Sequence, residues 1–198
     1  MLKQNGFLIA EQFVAQKSDW KKSEDNFIAS LVKQFHFPFI CKPVDDGCSS
    51  AVKKIKNEKE LRAFCQMIFR EEEKFIYEAA SVLQLKPKEE FPIKKQFLLE
   101  DLVDKNGAAH FLEVTGGMLT HFNLKGEIDY EIFEASETLS EGDVLSLEEK
   151  FLAGEGQNIT PARYAKSVSE SNRISEAVKS ELKRAAKVLN IEGYARID

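Results

Sequence analysis

The chain has 198 residues, of which 43% are hydrophobic and 31% are charged, and its net charge is −5. This composition is typical of a globular protein with a sizeable core and excludes a disordered or collagen-like chain. The sequence has no basic stripe and only short apolar runs, so we expect neither nucleic acid nor a membrane as a partner.

Near the amino terminus, the sequence predicts one helix and a hairpin. Ser23 is a predicted N-cap for a helix over 24–35. Residues 37–43 predict an apolar strand with prolines, and residues 51–55 predict a second strand. The loop between them, 45–50, is too short for a crossover helix, so the two strands should pair antiparallel.

A second helix and a buried strand complete the first half. Asn57 and Glu60 have the spacing of a capping box. The helix behind them should bury a face at i, i+3, i+4 and i+7, formed by Leu61, Phe64, Cys65 and Ile68. Residues 96–103 predict a buried strand. The turn-forming residues 104–107 then predict a boundary between two lobes, 1–103 and 104–198.

The second half is strand-rich before it ends in a long helix. Strands are predicted at 111–115, 119–124 and 128–133, with a turn at Lys125-Gly126, and another begins at Tyr194. The acidic stretch 136–165 predicts a long loop. A helix over about 172–189 should end at Asn190. This mixture of elements predicts an α+β fold.

Cysteine and histidine spacing bears on metal and redox chemistry. The three cysteines form no CxxC pair, which is typical of reduced thiols in a cytoplasm. The three histidines lie far apart, so we do not expect a zinc site built on them.

The hairpin loop is the first candidate site. Lys42 precedes a loop that contains Gly47, Cys48, Ser49 and Ser50. One cation beside several backbone N–H groups and hydroxyls suits a polyphosphate. A simple β-turn with surface serines is the alternative, because the segment is neither a Walker sequence nor a GxGxxG motif.

The end of the 96–103 strand is the second candidate. Glu100 could accept a hydrogen bond from the exocyclic amine of an adenine. The backbone of the neighbouring residues would line the base, namely Asp101, Leu102 and Val103. An ordinary strand with an acidic end remains the alternative.

Two further candidates lie near the carboxyl end. The segment 148–163 contains Lys150, Arg163 and two glycines, and such a loop can close over a charged ligand. A disordered acidic loop is the alternative. Arg196 and Asp198 alternate on one strand face, which suits an anionic intermediate and a magnesium ion. An ordinary ion pair is the alternative there.

The order of these motifs resembles the ATP-grasp superfamily and is most similar to D-alanine–D-alanine ligases. The resemblance rests on Lys42-Pro43 with its Ser loop, on a strand ending at Glu100, on Lys150-Phe151 with Thr160-Pro161-Ala162, and on Gly193-Tyr194-Ala195-Arg196-Ile197-Asp198. It implies an α+β ATP-grasp fold, with two α+β lobes that hold ATP between them.

The resemblance also implies a role for each candidate residue. Lys42 and the loop would bind ATP phosphates, while Glu100 and the following backbone would bind adenine. Lys150 would reach the γ-phosphate, Arg196 would stabilise the tetrahedral intermediate, and Asp198 would be a magnesium ligand. The implied reaction forms an acyl phosphate from a carboxylate, which an amine then attacks.

Some residues depart from the family pattern. Cys48 stands where these ligases usually have serine, and Ala51 where they often have glycine. Asp101 and Phe151 also differ from the usual residues. These differences bear on D-alanine specificity more than on ATP binding, so a ligase for other amino acids and a non-catalytic nucleotide-binding module remain alternatives.

The extent of the match leads to a last set of expectations. The chain begins and ends inside the family pattern, so we expect an internal piece of a cytoplasmic ligase that makes a peptidoglycan precursor dipeptide. We expect this piece to be inactive alone. We also expect an open sheet edge in its second lobe, which favours a homo-oligomer.

Overall fold

The computed structural model describes residues 1–47, 49–86, 89–104, 107, 112–138 and 158–198. The chain divides into two compact units. The amino-terminal unit is Ala10–Asp104, and the carboxy-terminal unit comprises Met1–Ile9 with the described residues of Lys105–Ser140 and Ala153–Asp198. The lobe division after residue 103 stays a prediction; residues 1–9 group with the later part of the chain.

The helices and strands follow the mixed α+β order of the sequence. The described helices are α1 (Lys17–Lys22), α2 (Glu24–Gln34), α3 (Glu58–Ile68), α4 (Tyr77–Val82) and α5 (Val168–Val188), after a short 3-10 turn at Lys3–Asn5. The described strands are β1 (Gln12–Gln16), β2 (Phe39–Pro43), β3 (Lys53–Ile55), β4 (Gln96–Asp101), β5 (Glu113–Phe122), β6 (Ile128–Ile132), β7 (Ser136–Thr138), β8 (Asn158–Ile159) and β9 (Tyr194–Ile197). None of the described helices is long and apolar enough to cross a membrane.

The amino-terminal unit contains a four-stranded antiparallel sheet in the order β1-β4-β2-β3. The predicted hairpin is confirmed, since Phe39 pairs with Ile55. Both predicted caps are also present: the Ser23 hydroxyl accepts from the Asn26 N–H at 3.4 Å, and the Asn57 side chain accepts from the Glu60 N–H at 3.0 Å. β1 and α1 have no counterpart in the sequence prediction.

One face of this sheet is the core of the unit. Alternate residues of three strands are fully buried there, namely Phe39 and Cys41 of β2, Ile55 of β3, and Phe97 and Leu99 of β4. α3 contributes the predicted face, and the Phe64 ring meets those of Phe97 and Phe91 at 5.1 Å and 5.4 Å. Because strand side chains alternate, the other sheet face is left for polar residues.

The carboxy-terminal unit is built around β5. Met118 and Leu119 pair with both β6 and β9, so these two strands flank β5 on opposite sides. β7 pairs with the start of β5, and β8 pairs with β7. α5 covers one face at Gly116, where a Cβ atom would overlap the Leu182 side chain.

Three predictions for this unit need correction. β5 is one continuous strand through Gly116 and Gly117 rather than two strands, because both glycines pair with β9. The stretch 136–165, predicted as a loop, contributes β7 and β8. α5 begins at Val168 rather than near 172, because the Ser167 side chain caps it by accepting from the Glu170 N–H at 3.3 Å.

Two contacts with α5 explain why the first nine residues belong to this unit. The Arg184 guanidinium of α5 lies over the Phe7 ring at 3.6 Å from its centre, and it donates to the Asn5 carbonyl oxygen at 2.7 Å. A stacked guanidinium that also donates a hydrogen bond is a contact that lysine could not reproduce.

Candidate nucleotide-binding site

The polar face of the amino-terminal sheet carries two predicted site residues. Lys42 on β2 and Glu100 on β4 lie on the face opposite the core, since their strand neighbours Cys41 and Leu99 are fully buried. The Lys42 Nζ atom lies 3.1 Å from Glu100 Oε1. Their side chains are 33% and 20% exposed, so the pair is partly shielded yet open to a ligand.

A third polar residue on this face is absent from the sequence prediction. Gln12 on β1 pairs directly with Glu100, and its Nε2 donates to Glu100 Oε2 at 2.7 Å. Three adjacent strands therefore place an amide, a carboxylate and an ammonium side by side. The sequence signal for Gln12 is a short one: the polar residues Gln12 and Gln16 alternate with Phe13 and Ala15, of which Ala15 is buried in the structure.

Apolar side chains adjoin this polar group. Val14 pairs with Leu98 across β1 and β4, and Ile40 pairs with Glu100 across β2 and β4. Ile40 and Leu98 are half-buried, and Val14 is exposed. A partly exposed apolar surface beside a carboxylate suits a flat ring that carries an amine donor.

The loop after β2 is fixed at its stem. Lys94 Nζ lies 2.9 Å from Asp45 Oδ1 and 3.1 Å from Asp46 Oδ2. The hydrogen bonds that Lys94 donates to Asp45 and then Asp46 raise the pKa of the Lys94 ammonium. A cavity of about 530 Å³ opens at this end of β1 and β4, lined by Gln16, Asp45, Ile93, Lys94, Lys95 and Gln96.

The loop itself turns twice. The Ser50 N–H donates to the Gly47 carbonyl, and the Val52 N–H donates to the Ser49 carbonyl. Ser49 and Ala51 have φ angles of 58° and 51°, in the left-handed region that favours glycine. A glycine would therefore suit position 51. Gly47 has open space where a Cβ would lie, which leaves room for a ligand near its backbone.

The residues after Glu100 differ in what they leave accessible. The Asp101 N–H donates to the Glu11 carbonyl at 3.0 Å, so this backbone donor is already used within the sheet. Leu102 is half-buried and Val103 is exposed. The backbone contacts predicted for these three residues stay a prediction.

Arg196 and Asp198 form a second group in the carboxy-terminal unit. Arg196 on β9 pairs with Gly117, and its Nε lies 3.4 Å from Asp198 Oδ1. The Thr115 hydroxyl also donates to Asp198 Oδ1. The two charged side chains are 73% and 70% exposed. The structure thus brings them together on an accessible strand, as their alternation predicts.

Two predicted site residues, Cys48 and Lys150, lie outside the described residues, as does Phe151. Within the described part of the chain, no three His, Cys, Asp or Glu side chains group closely enough to hold a metal ion.

Comparison with solved structures defines the fold class. The structure matches N5-carboxyaminoimidazole ribonucleotide synthetase in complex with ADP, with a TM-score of 0.52 and 14% identity over 98% of this chain and 37% of that one. It matches D-alanyl-alanine synthetase A from Vibrio cholerae with the same TM-score and identity, over 99% of this chain and 47% of that one. The chain has the ATP-grasp fold.

Sequence comparison identifies the relatives within that class. The family model described as "D-ala D-ala ligase C-terminus" matches residues 1–84. The D-alanine–D-alanine ligase of Flavobacterium johnsoniae is 27% identical over 88% of this chain, and that of Leptospira interrogans is 26% identical over 98%. The chain spans 42% and 45% of the length of these two relatives. Its sequence is thus similar to D-alanine–D-alanine ligases over less than half of their length.

Proposed function

We propose that this chain contributes the nucleotide-binding part of an ATP-dependent carboxylate–amine ligase of the D-alanine–D-alanine ligase type. The observation that carries the proposal is the pairing of Lys42 with Glu100 on the open sheet face, 3.1 Å apart. A cation for phosphate and a carboxylate for an amino group lie there beside an apolar surface, which are the elements that ATP recognition requires.

In this proposal the amino-terminal unit binds the nucleotide. Glu100 accepts a hydrogen bond from the adenine amine, and Asp101 to Val103 line the base. Lys42 binds the phosphates, which the loop residues Gly47, Cys48, Ser49 and Ser50 cover. The tie from Lys94 to Asp45 and Asp46 supports this role, because it fixes the loop stem before a ligand arrives.

The carboxy-terminal unit would act on the reacting groups. Arg196 would stabilise the negative charge of the tetrahedral intermediate. Asp198 has the hard carboxylate oxygens that Mg²⁺ prefers, and its exposed side chain fits a role as one ligand. A bound Mg²⁺ would neutralise charge on the ATP phosphates. Lys150 would contact the γ-phosphate.

The reaction has two steps. A substrate carboxylate oxygen attacks the γ-phosphorus of ATP, so that ADP leaves and an acyl phosphate forms. An amine then attacks the acyl carbon, and phosphate leaves from the tetrahedral intermediate to give an amide. The substrates would be amino acids, with D-alanine first among them, and the dipeptide would serve as a peptidoglycan precursor.

Nucleotide binding to the 198-residue chain is the direct test. Replacing Lys42 with alanine should weaken ATP binding about ten- to hundredfold, because one charge-assisted contact is worth about 1.5–3 kcal/mol. Calorimetric titration with Mg²⁺-ATP measures this. The control is Lys53→Ala, which removes a lysine that pairs with Glu89 and lies on the neighbouring strand β3. Equal affinity in wild type and Lys42→Ala would contradict the assignment.

The reaction needs a separate assay. ADP release that depends on D-alanine would support a D-alanine–D-alanine ligase. ADP release only with other amino acids would support the alternative, a ligase for other amino acids. Tight ATP binding without turnover would favour a nucleotide-binding module. The assay applies to the 198-residue chain and to any longer product of its gene. Inactivity of the 198-residue chain alone, a cytoplasmic location and self-association stay predictions.

A further inference from the structure

We propose that Gln12 is a positioning residue for base recognition: it holds the Glu100 carboxylate in place while Lys42 turns to the phosphates. The inference rests on the proposed function and adds a residue to it. Its basis is the division of one carboxylate between two donors. Gln12 Nε2 donates to Oε2 at 2.7 Å, and Lys42 Nζ lies 3.1 Å from Oε1.

Lys42 alone would not hold the Glu100 carboxylate in place for adenine recognition. Its ammonium carries the charge that attracts a polyphosphate, so a bound nucleotide competes with Glu100 for the same cation. If Lys42 were the sole partner, phosphate binding would release the carboxylate to other rotamers. Fixing a glutamate side chain costs conformational entropy, so a carboxylate without a second partner would not stay in one orientation.

Gln12 is suited to keep the carboxylate fixed. Its amide is neutral, so a polyphosphate attracts it far less than it attracts Lys42. Gln12 and Glu100 are directly paired residues of β1 and β4, and the strand register sets their separation. An ionised carboxylate has about four acceptor positions, so two donors leave acceptor capacity for an amine from the ligand.

The same strands contain a matched glutamine. Gln16 lies on β1 four residues after Gln12 and so on the same sheet face. Its Nε2 donates to Gln96 Oε1 at 3.1 Å, which is an amide–amide contact away from Glu100. Replacing Gln16 therefore removes a cross-strand hydrogen bond of the same kind without changing the carboxylate.

The sharpest readout is discrimination between ATP and ITP. The two nucleotides share their phosphates and ribose, but ITP has an oxo group where ATP has the amino group. Glu100 should favour ATP because a carboxylate accepts from the amine and repels the oxygen. Gln12→Met keeps the side-chain length and removes the donor, so it should lower the ATP-over-ITP preference about three- to tenfold.

The experiment measures the affinities of ATP, ITP and inorganic tripolyphosphate for wild type, Gln12→Met and Gln16→Met of the 198-residue chain. Tripolyphosphate affinity should change less than twofold in Gln12→Met, because Lys42 remains, and unfolding midpoints report whether each variant folds. Gln16→Met should keep the wild-type preference.

The outcomes separate the two proposals. A wild-type chain that binds no ATP, or binds ATP and ITP equally, would overturn the assignment of Glu100 and with it the role of Gln12. A wild-type preference for ATP that persists in Gln12→Met would overturn the role of Gln12 alone. An equal loss in Gln16→Met would show that any cross-strand amide suffices, which also overturns it.

Discussion

The two units bury very different side chains among the residues described. In the amino-terminal unit the core includes large aromatic and aliphatic residues such as Phe64, Phe97 and Leu31, all with at most 1% exposure. In the carboxy-terminal unit the buried hydrophobic residues are Met118, Ala135, Ala162, Ala185 and Ala186. Because burial energy scales with apolar area, the first unit has the larger source of stability within itself.

The carboxy-terminal unit buries a carboxylate, that of Glu137. Glu137 is 1% exposed and accepts from Arg163, while Glu134 accepts from Lys179 and from the Ser175 hydroxyl. Exposed ion pairs contribute little and buried ones lose most of their Coulombic gain to desolvation, so apolar burial is the larger source of stability. Lys42 and Glu100 therefore lie on a sheet with a large apolar core, whereas Arg196 and Asp198 are exposed at the end of the chain.

The largest expected effect comes from an aromatic residue of the amino-terminal core. Phe64→Ala should lower the free energy of unfolding by about 3–5 kcal/mol, because it opens a cavity between the Phe91 and Phe97 rings. Urea unfolding measures the loss. Tyr194→Ala, at a side chain that is 87% exposed in the carboxy-terminal unit, should change stability little. Equal losses at the two positions would contradict the comparison.

A smaller loss of stability is expected when the ion pair between Arg163 and Glu137 in the carboxy-terminal unit is removed. Arg163→Met removes the partner of the buried Glu137 carboxylate and should cost about 1–3 kcal/mol. The matched control is Arg173→Met, whose partner Glu170 lies on the same helix, α5, and is exposed. We expect no measurable loss there. A similar loss in both variants, measured by urea unfolding, would show that burial of Glu137 is irrelevant.

The smallest expected effect is a pH dependence. The hydrogen bond that Lys179 donates to Glu134 lowers the pKa of the Glu134 carboxyl and raises the pKa of the Lys179 ammonium. Near and below the ordinary Glu pKa of about 4.3, the unfolded carboxyl binds more protons than the folded one. This stabilisation is therefore complete above that pH and is lost as acid protonates folded Glu134.

Thermal unfolding between neutral pH and pH 3 checks this. Wild type should lose more stability on acidification than Lys179→Met, in which the cause of the lowered Glu134 pKa is gone. The effect should be small because the Glu134 side chain is 46% exposed. Parallel curves for the two proteins would mean that the pair contributes nothing measurable.

Local elements were predictable because their determinants lie within a few residues. α2 and α3 have their caps and apolar spacing in the sequence, and the hairpin of β2 and β3 follows from a short loop. The prediction failed where pairing partners decide: β5 continues through two glycines because β9 pairs with them. α5 starts early because Ser167 caps a first turn that lacks apolar periodicity.

The same distinction applies to the candidate site. Lys42, Glu100, Arg196 and Asp198 could be selected from the sequence, because each stands in a recognisable order of motifs. The contact of Lys42 with Glu100, 58 positions away, and that of Gln12 with Glu100, 88 positions away, arise only when the sheet has formed. Strand register is set by which faces are buried across the whole sheet, and no local stretch of sequence contains that information.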